Sequence, residues 1–144
     1  MEHHLILRVV TKIVIPFILL FALYVQFHGD FGPGGGFQAG VIFGAAIILY
    51  ALVFGLERAE RVVPPRALRV LMATGVLIFA GTGVAAMLLG GNFLDYGHLA
   101  HDPHHGQHYG ILLVEFGVGV TVASTMMMLF FGFMGRRERA DDSA

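Results

Sequence analysis

Gly29-Asp30-Phe31-Gly32-Pro33-Gly34-Gly35-Gly36-Phe37-Gln38-Ala39-Gly40 lies between two long apolar runs, and its reading decides the fold. Pro33 has no backbone N–H, and the glycines after it can take backbone angles closed to other residues. Non-helical backbone at membrane depth is tolerable only where protein or water satisfies its polar groups. The stretch therefore predicts a tight connection through which one helix leaves a bilayer and the next enters against it.

The flanking sequence supports this. The 144 residues are 56% apolar and only 13% charged, about half the charge of a soluble domain. Four apolar runs, at about 9–27, 37–56, 70–90 and 109–134, are each long enough to cross a membrane. The expected fold is all-α, an integral membrane bundle of four transmembrane helices. Residues 1–136 make one membrane domain, and 137–144 a polar cytoplasmic tail. The first run is too long for a cleaved signal peptide, and Pro16 is expected to kink it.

All nine Lys and Arg residues fall on one side: Arg8 and Lys12, then Arg58, Arg61, Arg66 and Arg69, then Arg136, Arg137 and Arg139. Segments 28–36 and 91–108 hold none. The positive-inside rule then makes both termini cytoplasmic, with the glycine-rich and histidine-rich loops external. Pro64-Pro65 is expected to stop any helix in the basic loop.

Small residues predict how the helices meet. Gly36, Gly40, Gly44, Ala51 and Gly55 share a face of the second span, with Ile48 interrupting. Thr74, Gly81 and Ala85 mark the third span; Gly110, Gly117, Thr121 and Ser124 mark the fourth. Such faces let backbones approach closely.

Glu115 is the one acid well inside an apolar run. An ionised carboxylate there is costly unless paired or hydrated, and acids so placed commonly serve ion or proton pathways. Glu115 points away from the Gly117 and Thr121 stripe at 100° per residue. Its face, with Ile111, Gly119, Val122 and Met126, is therefore expected to meet another subunit or a water-filled cavity. His28, Asp30 and Gln38, around the glycine loop, are entrance candidates. The structural alternative for Asp30 is a turn cap.

His98, His101, His104, His105 and His108, with Asp95 and Asp102, have the chemistry of zinc ligands. Pro103 and Gly106 interrupt them, so no closed metal site is expected, and no cofactor. Met126, Met127 and Met128 read as packing, and Tyr24, Tyr96 and Tyr109 as interfacial anchors. The absence of cysteine excludes disulfides and thiolate chemistry. A net charge of −1 argues against nucleic-acid binding. No nucleophile lies beside a base in a pocket-forming context, so covalent catalysis is not expected.

Pro33-Gly34-Gly35-Gly36-Phe37, followed by Gln38-Ala39-Gly40-Val41, resembles the signature of the MnhB (MrpB) family, small membrane components of Mrp-type multisubunit Na⁺/H⁺ antiporters. The Gly110–Val118 segment is similar as well. Many members carry Gly-His before the proline, where this chain has Gly29-Asp30. The resemblance implies a small non-redox subunit of a hetero-oligomeric bacterial cell-membrane complex that exchanges sodium ions for protons. It would help to build or line the ion route with its neighbours. Two alternatives stay open: a membrane-arm subunit of a redox-driven complex such as a membrane-bound hydrogenase, and a purely structural spacer.

Overall fold

A computed structural model describes residues 2–29, 34–99 and 103–142, and among these there is no strand. Five helices are present: α1 (Glu2–His28), α2 (Gly36–Phe54), α3 (Leu56–Val62), α4 (Pro65–Leu88) and α5 (Pro103–Asp142). A 3-10 turn at Tyr96–Leu99 precedes α5. Four stretches are long and apolar enough to cross a membrane: Leu5–His28, Gly36–Phe54, Pro65–Leu88 and Gly106–Arg136.

Glycine and proline set the helix ends. Gly35, at φ 121°, precedes α2, and Gly55, at φ 94°, ends it. The positive φ at Gly55 turns the chain into α3, whose Leu56 and Ala59 are buried. A helix thus does form in this loop, and it stops at Val62, just before Pro64-Pro65. Pro64 is extended at ψ 144° and Pro65 is the first residue of α4, where its missing N–H costs no hydrogen bond. Pro103 likewise opens α5, and Gly106 lies inside that helix instead of interrupting it. α5 then runs on through Asp142. Pro16 lies within α1 without ending it.

The helices pack in the order α1, α2, α5, α4. α2 meets α5 through glycines. A methyl group at Gly36 would collide with the Glu115 carbonyl, and one at Gly40 would lie 2.6 Å from the Gly119 carbonyl. One at Gly44 would lie 3.5 Å from the Ala123 carbonyl. These positions advance by four residues on both helices, so two i±4 rows face each other. α4 meets α5 where Gly75 and Gly117 cross: a methyl group at either would lie within 2.8 Å of the other's carbonyl oxygen.

Two parts of the expected stripes are corrected. A methyl group at Gly55 would meet nothing within 4 Å; this residue terminates α2 and does not pack. On α4, Thr74 and Gly81 are exposed, and the buried face is Leu68, Gly75, Thr82, Gly83 and Ala86. At the basic end, Ile47, Ala51, Leu56, Ala59, Leu68, Ala123, Met127 and Phe131 form a hydrophobic cluster. Met127 is thus core, and Met126 packs on Gly44. Much of the remaining apolar surface is exposed, including Phe17, Leu20, Leu77 and Phe133.

Candidate functional site

The last carbonyls of a helix have no partner within it, and the first feature of the site follows from this. The Val25 carbonyl, one turn from the end of α1, accepts the Gly35 N–H at 3.3 Å. A methyl group at Gly34 would stand 2.8 Å from that oxygen. The connection thus folds back onto α1, with Gly35 and Gly36 buried.

The carboxyl group of Glu115 rests on this fold. A methyl group at Gly29 would lie 2.7 Å from Glu115 Oε2 and 2.9 Å from Oε1. One at Gly35 would lie 3.0 Å from Glu115 Oε1 and 3.5 Å from Gln38 Oε1. The oxygens of Glu115 and Gln38 therefore converge on one point of bare backbone. At Gly35 the φ of 121° disfavours a side chain on conformational grounds as well. Glu115 is half-buried and Gln38 exposed, so the group has a buried side and an open one.

The face of Glu115 corrects the sequence expectation. Within this chain it packs on α2, since Gly119 and Val122 lie against Gly40 and Met126 against Gly44. α5 uses two opposite faces, one for α2 and one for α4, so a stripe of small residues on one did not free the other. The level of Glu115 is also informative. It lies nine residues inside the Gly106–Arg136 stretch, about 13 Å along the helix axis. Yet it stands beside the end of α1 and the first residue of α2. The carboxyl group therefore occupies a step, where two helices stop and two continue.

Of the other candidates, His28 is half-buried, its ring stacked on Tyr24 at 5.0 Å. Gly34 is half-buried and Phe37 is 60% exposed. Asp30 and Pro33 lie outside the described residues, as do His101 and the side chains of His98, His104 and His105. His108 is exposed, its ring 5.9 Å from that of Tyr109. Tyr24 and Tyr109 are exposed, but Tyr96 is half-buried on Gly110, where no side chain would fit. Burial raises the Tyr96 phenol above its ordinary pKa.

Sequence reading passed over Gln26. It is only 7% exposed, and its Oε1 stands 2.7 Å from where a methyl group at Gly119 would be. Its Nε2 is buried without a hydrogen-bond partner among the described residues. The signal was present: Gln26 is the one amide within the first apolar run. Two buried hydroxyls are satisfied locally. Thr82 donates to the Ile78 carbonyl at 2.8 Å and Ser124 to that of Val120 at 2.7 Å, the usual back-bond to residue i−4.

Fold and site define a multi-pass helical membrane protein whose spans contain a single acid, seated against a glycine-rich connection. A family model described as a domain related to the MnhB subunit of Na⁺/H⁺ antiporter matches residues 6–128. Relatives from Staphylococcus aureus strains Newman and COL, bearing the name antiporter subunit mnhB2, are 35% identical over 139 residues. The match covers 94% of this chain and 98% of theirs. The chain belongs to the MnhB family.

Proposed function

We propose that this chain, as a subunit of a multisubunit Na⁺/H⁺ antiporter, contributes a cation- or proton-handling carboxylate, Glu115, at one end of the transmembrane route. The observation that carries the reading is the seat of that carboxyl group on Gly29 and Gly35. Three features fit an exchange site. The acid is alone among four apolar spans; the Gln38 amide oxygen converges with it on one point; and the bare backbone of Gly29 and Gly35 lets the carboxyl group sit directly against the connection.

The helix lengths support a position at the membrane boundary. α2 has 19 residues, which span about 28 Å, close to one hydrocarbon thickness. Its first residue is level with Glu115. All Lys and Arg residues lie toward the other end of the spans, so the positive-inside rule puts Glu115 and the glycine connection on the external side and both termini in the cytoplasm. An external carboxyl group at a step between long and short helices can meet water from the loops and partner helices from the side. Gln38 borders it, and His28 is next in the chain to Gly29, which touches it. One acid on one helix cannot carry an ion across ~30 Å of hydrocarbon, so the rest of the route belongs to neighbouring subunits. The role is that of a transporter component with no covalent chemistry of its own.

The test is sodium-driven proton movement in membrane vesicles containing the complex with Glu115→Gln. The expected result is loss of exchange, by at least tenfold, with the subunit still incorporated. Normal exchange by that variant would refute the reading and favour a spacer role. The redox-driven arm is not favoured by the antiporter relatives.

A further inference from the structure

A recess of about 430 Å³ lies at the opposite end of the bundle, lined by Arg8, Phe54, Gly55, Leu56, Glu57 and Arg58. It forms where Gly55, at φ 94°, breaks α2 from α3 and brings the start of α3 beside the first turns of α1. Two arginines thus line one concavity, and a third basic residue stands next to it. Lys12, one turn beyond Arg8 on α1, places its Nζ 5.6 Å from the centre of the Phe54 ring. Among the described residues, neither Arg8 nor Arg58 has a carboxylate within ion-pair distance; the carboxylate on the lining, Glu57, lies 3.4 Å from Arg61.

Arginine presents a planar fork of donors that matches phosphate oxygens, and it stays charged at every physiological pH. Nearby positions on the bilayer side of Arg8 and Phe54 in the chain are apolar and exposed: Val9 at 50% and Leu52 at 61%. Arg8 lies 21 residues from Gly29 along α1, about 31 Å, so the recess and Glu115 are one hydrocarbon thickness apart. A cationic recess at that level, with apolar flanks below, suits a phosphate that carries acyl chains.

We propose that this recess binds the phosphodiester headgroup of an anionic phospholipid. Arg8 and Arg58 grip the phosphate, Lys12 adds to the local positive charge, and the acyl chains lie along α1 and α2. The inference goes beyond the relay at Glu115 and does not depend on it, since the two sites are at opposite ends of the spans.

Native mass spectrometry of the purified complex tests it, with phosphatidylglycerol, phosphatidylethanolamine and inorganic phosphate as separate arms. Phosphatidylglycerol is expected to stay bound to this chain, phosphatidylethanolamine to leave, and inorganic phosphate at equal concentration not to displace the lipid. The double variant Arg8→Ala with Arg58→Ala should weaken phosphatidylglycerol binding about 25-fold, at roughly fivefold per removed cation. Arg66→Ala with Arg69→Ala should leave it unchanged. Equal retention by the Arg8/Arg58 variant, or equal binding of the two lipids, would overturn the proposal. Displacement by inorganic phosphate would show a free-anion site and overturn the lipid. If the double variant does not assemble, a photoactivatable phosphatidylglycerol on the unaltered complex decides. Adducts within residues 5–12 and 52–58 are expected, and adducts confined to other parts of the chain overturn it.

Discussion

Gly35 stands where three demands meet: a φ of 121°, a backbone N–H owed to the Val25 carbonyl, and contact with Glu115 Oε1. Backbone angles of this kind cost other residues about 1–3 kcal/mol, and a methyl group there would also press on the carboxyl group. Gly35→Ala should therefore lower the unfolding midpoint of the protein and depress exchange together, as read by thermal denaturation and vesicle transport. Gln26 gives a prediction of opposite sign. A buried donor without a partner costs about 1–3 kcal/mol, so Gln26→Leu should raise the unfolding midpoint of the isolated chain. A lowered midpoint would show that the amide has a polar role. Sequence alone singled out Glu115, because an acid in an apolar run is conspicuous. It could not show that Gly29 and Gly35 hold the carboxyl group. That depends on the chain folding back onto Val25, a contact across ten residues that no local pattern encodes.

Helix pairing makes the glycines of α2 unequal. Gly40 faces the Gly119 carbonyl across the α2–α5 contact, with no room for a side chain. Gly40→Leu should force the helices apart and abolish incorporation of the chain, as measured by its recovery with the complex. Gly81, with nothing within 4 Å, should accept alanine with unchanged recovery. The α2 stripe was legible from its four-residue spacing at Gly36, Gly40 and Gly44. The α4 stripe was misread because Gly81 suggested contact, whereas Gly75 lies at the crossing with Gly117. Several phases of small residues were available on α4, and only the partner helix selects among them. The face of Glu115 was misread for a related reason: one helix can bury two faces when it sits between two neighbours. α3 was missed because the proline pair was read as a stop. Pro64 and Pro65 leave room for a helix ahead of them, which ends at Val62; they also start the next helix, and Gly55 provides the break.

At the scale of the whole molecule, four apolar runs and one-sided basic residues were enough to read an all-helical membrane bundle. The order α1, α2, α5, α4 was not legible, since lateral neighbours depend on packing and not on chain order. The absence of cysteine makes the proposed orientation directly testable. A single cysteine in place of exposed Gln107 should react with an impermeant maleimide added outside intact cells, and one in place of exposed Glu57 only after the membrane is opened. The reverse pattern would invert the orientation and put the glycine connection in the cytoplasm. The central claim is that Glu115 changes its protonation or its bound cation during exchange, and difference infrared spectroscopy of the complex, with and without sodium, tests it most directly. A sodium-dependent carboxyl band is expected that disappears in Glu115→Gln, while the bands of other groups persist. A spectrum unchanged by that substitution would contradict the claim.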